Sequence, residues 1–428
     1  MKAKQIQVTR RNFLAFLWHA LFLALAINFS DVNTIIPTML IRAGGTTIHL
    51  GILTAIMIGG TGFMQLFFAA FLANKPNKKP FLLTGIYLRV TALLSLGLLL
   101  TGAKSLPGAL VIGAIFLLIS LFSFSGSFAG ISYNDILGKS IEREERKRFF
   151  VLKQTIASSG ILVSALLVRY LVKSIPYPAN YSSLFITAGI LLSVASLGFW
   201  AIRERPTRLI PDTASPHHSN PQSRRNGKSI LSSYIEILKG DRNMVYYLLL
   251  INAAGLGLTL VPFYISLAKS NFQITGRDVG NYLLLQIVGM ILSNFLWHRL
   301  VKRGSYKLVI VVYSLLAAVI PFVALFLSRY QNYYPLLFLL TGANASAYKI
   351  AIPGIFLEIS REHNRVLYTA LSGAGSLSNI IFPLAGGILI SRFGYLPVFA
   401  FSILIILCGI LLVKQLDCRY QSEEEFQV

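Results

Sequence analysis

The sequence predicts an all-α membrane protein: twelve transmembrane helices in two six-helix bundles related by a parallel pseudo-repeat. Three observations carry that prediction. Apolar residues come in blocks of roughly twenty or more, the length that crosses about 30 Å of hydrocarbon as a helix. Basic residues concentrate in alternate loops, and loops of the first half reappear in the second. Composition agrees: of 428 residues, 55% are hydrophobic and 13% charged, against roughly 25% charged in soluble domains. The lipid bilayer is therefore the solvent.

The first apolar block follows Lys2, Lys4, Arg10 and Arg11 and runs from about 13 to 41. Ala24-Leu25-Ala26 within it has the look of a signal-peptide cleavage site, but the run is too long for a signal h-region. It is expected to stay as span 1. Spans 2 to 6 lie near 48 to 73, 81 to 103, 107 to 135, 150 to 173 and 181 to 202. A polar connection at 203 to 243 contains Pro206, Pro211, Pro216 and Pro221 among serines, the composition of a flexible linker. Towards its end Ile230, Leu231, Tyr234, Ile235, Ile237 and Leu238 recur at helical spacing, as in a short helix lying on a membrane surface. Its His217-His218 pair has no companion at metal-ligand spacing, so no metal is predicted. Spans 7 to 12 lie near 244 to 268, 279 to 299, 306 to 328, 334 to 357, 366 to 391 and 395 to 415. The units are then an N-terminal bundle 1–202, a cytoplasmic linker 203–243, a C-terminal bundle 244–416 and a tail 417–428.

A net charge of +23 raises the question of nucleic acid, and placement answers it. Of 39 Lys and Arg residues, 29 fall in the segments on the side of the termini, 8 on the other side and 2 within spans. That is the positive-inside pattern. It places both termini in the cytoplasm of a multi-pass plasma-membrane protein and leaves no motive for a nucleic-acid partner. Cys408 and Cys418 differ in setting and give no disulfide framework. No cofactor is indicated, and the absence of a phosphate-cradling P-loop sequence leaves a built-in ATPase unsupported.

The repeat is visible in the loops. Ile141-Glu142-Arg143-Glu144-Glu145-Arg146-Lys147 after span 4 aligns without a gap on Ile359-Ser360-Arg361-Glu362-His363-Asn364-Arg365 after span 10. Lys75-Pro76-Asn77-Lys78-Lys79 after span 2 corresponds to the stretch from Arg299 to Lys307 after span 8. Two six-span halves with the same order and orientation form the parallel-repeat pattern of transporters whose site lies between the halves near the midplane.

On these features the chain resembles the major facilitator superfamily over essentially its whole length. The resemblance implies alternating access of a small organic solute to a central cavity, by a protein acting as a monomer and drawing on an ion gradient. Arg299, Gly304 and Lys307 fit the family's loop motif, which implies gating charges, with His298 where the acid usually stands. Asp31 to Pro37 resembles a motif of drug/proton antiporters. Span 4 lacks their Arg, however, and a sequence like their span 5 signature, Phe382-Pro383-Leu384-Ala385-Gly386-Gly387, appears in span 11 instead. The likeness at Asp31 to Pro37 leans towards export of amphipathic compounds, with nutrient uptake by the same fold as the alternative. A polytopic membrane enzyme such as a lipid-linked transferase is the remote alternative, because the acids and histidines are scattered.

An ionisable group inside a span is a functional candidate, since it costs a few kcal/mol or more and usually faces water or a partner. Asp31 lies about 27 Å along span 1 from Phe13 by helical rise, where a carboxylate can carry a proton or meet a cationic group, or merely join helices. Lys349 in span 10, beside Tyr348 and near Asn344, is a counter-charge or a snorkelling lysine. Depths differing by roughly 15 Å argue against a direct pair with Asp31. Arg89 in span 3 is expected to form a structural pair with Asp135 at the inner end of span 4. Asn28, Gln65, Gln154, Asn252, Gln286, Asn294 and Asn379 are cavity candidates, each able to bind substrate or to bond helix to helix. Glycine clusters such as Gly59-Gly60-Thr61-Gly62, together with Pro37, Pro262, Pro353 and Pro383, offer close packing or bends.

Overall fold

The structure is a computed structural model that describes residues 2–73, 75–141, 143–204, 238–303, 305–360, 368, 371–373 and 375–417. Among the described residues twelve helices are long and apolar enough to cross a bilayer. In the first half these are Arg10–Arg42, Thr47–Met64, Lys79–Thr101, Gly108–Ser140, Leu152–Ser174 and Ala179–Ala201 (spans 1 to 6). The second half holds Arg242–Asn271, Gly276–Arg303, Tyr306–Leu327, Leu336–Phe356, Leu371–Phe393 and Tyr395–Gln415 (spans 7 to 12). With twelve spans, the start of span 1 and the end of span 12 fall on one side, called here the terminus end, and the opposite side is the far end. The amphipathic stretch from Ile230 to Ile237, Gly304 and the loop from Arg361 to Arg365 lie outside the described residues.

Packing repeats between the halves. Span 1 packs on spans 5 and 6, span 2 on span 4, and span 3 on spans 4 and 6; spans 7 to 12 make the corresponding set. Small residues set the closest of these approaches. A Cβ at Gly289 of span 8 would lie 2.0 Å from the Leu339 carbonyl, and one at Gly342 of span 10 would lie 1.9 Å from that of Gln286. Larger residues there would force the helices apart.

Each bundle is closed at the terminus end by the same device. Asn12, opening span 1, exchanges two hydrogen bonds with the backbone of Arg203 just past span 6, at 3.1 and 3.0 Å. Asn243, opening span 7, makes the same exchange with Asp417 just past span 12, at 3.0 and 2.9 Å. Lys79 Nζ donates to the Trp200 and Ile202 carbonyls at 2.9 and 2.8 Å, and Lys307 Nζ donates to the Leu416 carbonyl. A cation thus meets the unmade carbonyls and negative dipole end of a helix C-terminus in both halves. The first half adds Glu204, whose two carboxylate oxygens accept the backbone N–H groups of Lys78 and Lys79 at 2.7 and 2.8 Å at the start of span 3.

Spans 1 and 7, equivalent in the repeat, are both broken. Span 1 is α-helical to Ile27, passes through a 3₁₀ turn at Asn28–Ser30 and an extended Asp31 (φ −62°, ψ 129°), and resumes as Ile35–Arg42. The Asp31 carboxylate bonds its own following backbone, which competes with helix continuation. Span 7 runs as Arg242–Thr259 and Val261–Asn271. Pro262, in the first turn of the second piece, has no N–H, and its ring opposes a continuous helix. Pro353 and Pro383 sit inside helices that stay continuous. Span 2 carries a π-helical segment at Ala55–Gly59.

Replacing Glu204 with Ala removes a charged acceptor from two N–H groups. It is expected to lower stability by about 1–3 kcal/mol, read as a fall in the thermal unfolding midpoint of the detergent-solubilised protein. A midpoint unchanged from wild type would contradict the clamp.

Candidate functional site

The two bundles meet through spans 2 and 11 and through spans 5 and 8. These two contacts are equivalent when the halves are exchanged. Both are close because glycine is there: a Cβ on Gly51 of span 2 would lie 2.2 Å from the Pro383 carbonyl of span 11, and one on Gly276 of span 8 would lie 2.0 Å from the Val172 carbonyl of span 5. Hydrogen bonds between the bundles are found at the far end among the described residues. Arg42, ending span 1, donates to the Ile274 carbonyl of the second half, and Lys269, ending span 7, donates to the Ile41 carbonyl of the first at 3.3 Å. Arg169 Nε donates to Asn281 Oδ1 at 3.0 Å, and the hydroxyls of Thr47 and Ser266 lie 3.1 Å apart. The far end is sealed.

Behind this seal lies the break in span 1. Asp31 Oδ1 accepts the backbone N–H groups of Asn33 and Thr34 at 3.0 and 2.8 Å and the Thr34 hydroxyl at 2.8 Å. The carboxylate therefore shapes the break, and its second oxygen takes no part in that turn. Lys349 is exposed although it sits in the middle of a span, and its charge acts on Asp31 of the opposite bundle. It forms no ion pair with Asp31.

Several predicted residues prove to be helix fasteners. Asn28 Nδ2 donates to the Ile161 carbonyl at 2.6 Å and to Ser164 Oγ at 2.8 Å, bolting span 1 to span 5. Asn252 Nδ2 donates to the Gly375 carbonyl at 2.7 Å, and its Oδ1 accepts the Ser378 N–H at 2.7 Å, bolting span 7 to span 11 in the equivalent place. Asn294 accepts the Ser346 hydroxyl, joining spans 8 and 10. Gln154 is exposed and reaches only Ser158 Oγ on its own helix, at 3.3 Å. Gln286, Asn344 and Asn379 differ, since each holds a buried side-chain oxygen with no donor. Asn379 stands at the bundle junction, its Oδ1 2.2 Å from where a Gly255 Cβ would be and its carbonyl 2.6 Å from where a Gly59 Cβ would be. The Tyr348 ring lies 5.6 Å from that of Tyr313. The side chain of Gln65 lies outside the described ones.

The expected pair of Arg89 with Asp135 does not form. Asp135 pairs with Lys78 at 3.0 Å and with Lys139 one turn along its own helix. Lys78 precedes span 3 and is level with Asp135, whereas Arg89 lies about 15 Å further in by helical rise, beside Gly126. Lys307 caps the last helix of its bundle, and Arg299 is exposed with no ion pair among the described residues. The crossing of Arg42 and Lys269 was missed because both were counted as loop charges. Their common place at the ends of the repeat-equivalent spans 1 and 7 is the signal that marks them.

Residues 21–269 and 247–417 match the sequence model of the Major Facilitator Superfamily. The chain belongs to the major facilitator superfamily. Among solved structures it is similar to a POT family transporter in complex with a thioalcohol-conjugated peptide (TM-score 0.67, 12% identity, covering 95% of this chain and 96% of that one). It is similar also to a D-xylose–proton symporter (0.67, 13%, 94% and 96%) and to a nucleoside transporter (0.61, 12%, 96% and 99%). At such identities the likeness is one of fold. No curated protein sequence matches.

Removing a fastener is expected to cost stability. Asn28→Ala and Asn252→Ala should each lower it by about 1–2 kcal/mol, whereas Gln154→Ala should change it by less than about 0.5 kcal/mol. Thermal unfolding compares the three, and equal midpoints for all of them would contradict the assignment.

Proposed function

We propose that this superfamily member is a proton-coupled secondary transporter that moves a small organic solute by alternating access. The observation that carries the reading is the asymmetry of the bundle junction. Among the described residues the hydrogen bonds between the bundles lie at the far end and cross in both directions, while Lys349 is exposed in the middle of span 10 and its charge acts on Asp31 of the other bundle. Rocking the bundles about the glycine contacts exchanges which end is open, and the breaks in spans 1 and 7 give each half a joint at the depth of the site. The positive-inside pattern assigns the terminus end to the cytoplasm, so this state opens inward.

Asp31 is the proposed proton carrier. It is the single carboxylate well inside a span in the sequence, it sits at the break, and a cation of the other bundle acts on it. Protonation would weaken its hold on the Asn33 and Thr34 N–H groups and its attraction to Lys349 together. The likeness of Asp31 to Pro37 to the antiporter motif favours export. Relatives in fold whose names speak of peptides, nucleosides and a sugar define the first solutes to try. Their common occupation also favours carriage over catalysis.

Two outcomes are expected. In proteoliposomes, an imposed pH gradient drives accumulation of at least one solute from a panel of dipeptides, nucleosides, sugars and amphipathic dyes, and Asp31→Asn abolishes the drive while leaving exchange at equal pH. Undiminished gradient-driven accumulation in that variant would sink the role of Asp31. In a cysteine-free background carrying Thr38→Cys, which lies beneath the far-end recess with Arg42 and Lys269, adding Arg42→Ala and Lys269→Ala raises labelling by an impermeant maleimide from the far side. Unchanged labelling would mean that these residues do not hold the seal.

A further inference from the structure

Arg89 is a charged group deep in a span that neither the fold nor the coupling scheme uses. It lies ten residues past Lys79, the first residue of span 3, a depth of about 15 Å and so roughly the middle of the hydrocarbon. There it borders a partly open cavity of about 390 Å³ lined by spans 1, 2, 3, 4 and 6 of the first bundle. Ser30, Thr61, Phe122, Ser123 and Ser127 line the same cavity. The guanidinium carbon stands 4.5 Å from the centroid of the Phe122 ring, so one face is covered by a cation–π contact. Gly126 makes room for it, since a Cβ there would come within 3.3 Å of Arg89 Nε.

What the guanidinium lacks is an anion. Its buried Nε has no hydrogen-bond partner. The nearest expected acid, Asp135, is held by Lys78 and Lys139, and no carboxylate among the described residues lies close enough to act on Arg89. The hydroxyls nearby are committed to carbonyls: Ser123 donates to Ile56 and Ser127 to Thr61, each at 3.1 Å. An uncompensated guanidinium at this depth is costly, and its N–H groups form a planar fork that fits carboxylate or phosphate. Lipid headgroups sit at the interface, about 15 Å away, so a solute is the occupant that reaches it. The charge balance agrees, because away from the ends of the spans there are two cations, Arg89 and Lys349, against one carboxylate, Asp31.

We infer that the Arg89 cavity is the subsite that receives the anionic group, carboxylate or phosphate, of the transported solute. This rests on the transporter reading. Arg89 supplies the bidentate fork, Phe122 holds the fork in its plane, and Gly126 keeps span 4 out of its way. A volume of about 390 Å³ is within the range of small-molecule sites.

The test is thermal unfolding of the detergent-purified full chain with succinate, benzoate and glycerol 3-phosphate, each beside its neutral counterpart succinamide, benzamide or glycerol. At least one anion is expected to raise the wild-type midpoint by several degrees while its counterpart does not. Arg89→Met should lose the shift, and Arg89→Lys should keep a reduced one, since an ammonium holds the charge but not the fork. If Arg89→Met does not fold, the reduced shift in Arg89→Lys carries the test. No shift with any of the anions, or a shift that survives in Arg89→Met, overturns the inference. A shift produced only by phosphatidylglycerol in mixed micelles and lost with Arg89 makes the cavity a headgroup site and overturns the solute assignment. Proteoliposome uptake separates the two readings: an anion bound through Arg89 but never carried contradicts the transporter, whereas solute carriage undiminished in Arg89→Met contradicts the subsite alone.

Discussion

Each half of this molecule gives a cation to a carbonyl of the other. Arg42 reaches Ile274 and Lys269 reaches Ile41, from the ends of two spans that the internal repeat makes equivalent. A hydrogen bond to a charged donor contributes roughly 1.5–3 kcal/mol, enough to hold an interface and little enough to be released in a cycle. Everything beneath depends on that exchange. It ties the bundles at the far end, where the glycine contacts of span 2 with span 11 and of span 5 with span 8 bring their helices close, and Asp31 and Lys349 lie further in along spans 1 and 10.

Each bundle is tied together within itself. Asn12 with Arg203 and Asn243 with Asp417 tie the first helix of each bundle to the end of its last, and Lys79 and Lys307 cap that last helix. Within a bundle, Asn28 and Asn252 bolt equivalent pairs of spans at mid-depth. Polar groups in hydrocarbon must be satisfied internally, so these bonds make each bundle stiff. The joints are the places where backbone bonding is interrupted, at Asp31 in span 1 and at Pro262 in span 7. A carboxylate does in one half what a proline does in the other.

Hydropathy made the twelve spans legible, because a helix in lipid needs a long apolar run and little else does. The loop repeat made the two halves legible. No salt bridge joins Asp31 and Lys349, as depth along their helices leads one to expect. Pairing across helices was less accessible. Arg89 and Asp135 looked compatible, yet Lys78 lies level with Asp135 and Arg89 does not. Whether an asparagine binds a neighbouring helix, like Asn252, or keeps a buried oxygen unpartnered, like Asn344, depends on the rotation of a helix about its axis. Uniformly apolar spans carry little periodicity to set that rotation. The crossing of Arg42 and Lys269 depends on how whole bundles dock, which no local pattern encodes.

Alternating access between two stiff bundles is the central claim, and paired distances test it most directly. Spin labels at Ala43 and Asn332 report the far end, and labels at Asn77 and Lys302 report the terminus end, in a chain with Cys408 and Cys418 replaced and reconstituted in lipid nanodiscs. Varying pH and adding solute should lengthen one distance while shortening the other, with label pairs inside either bundle unchanged. A far-end distance that stays fixed while the terminus end opens and closes, or two distances that grow together, would contradict the account.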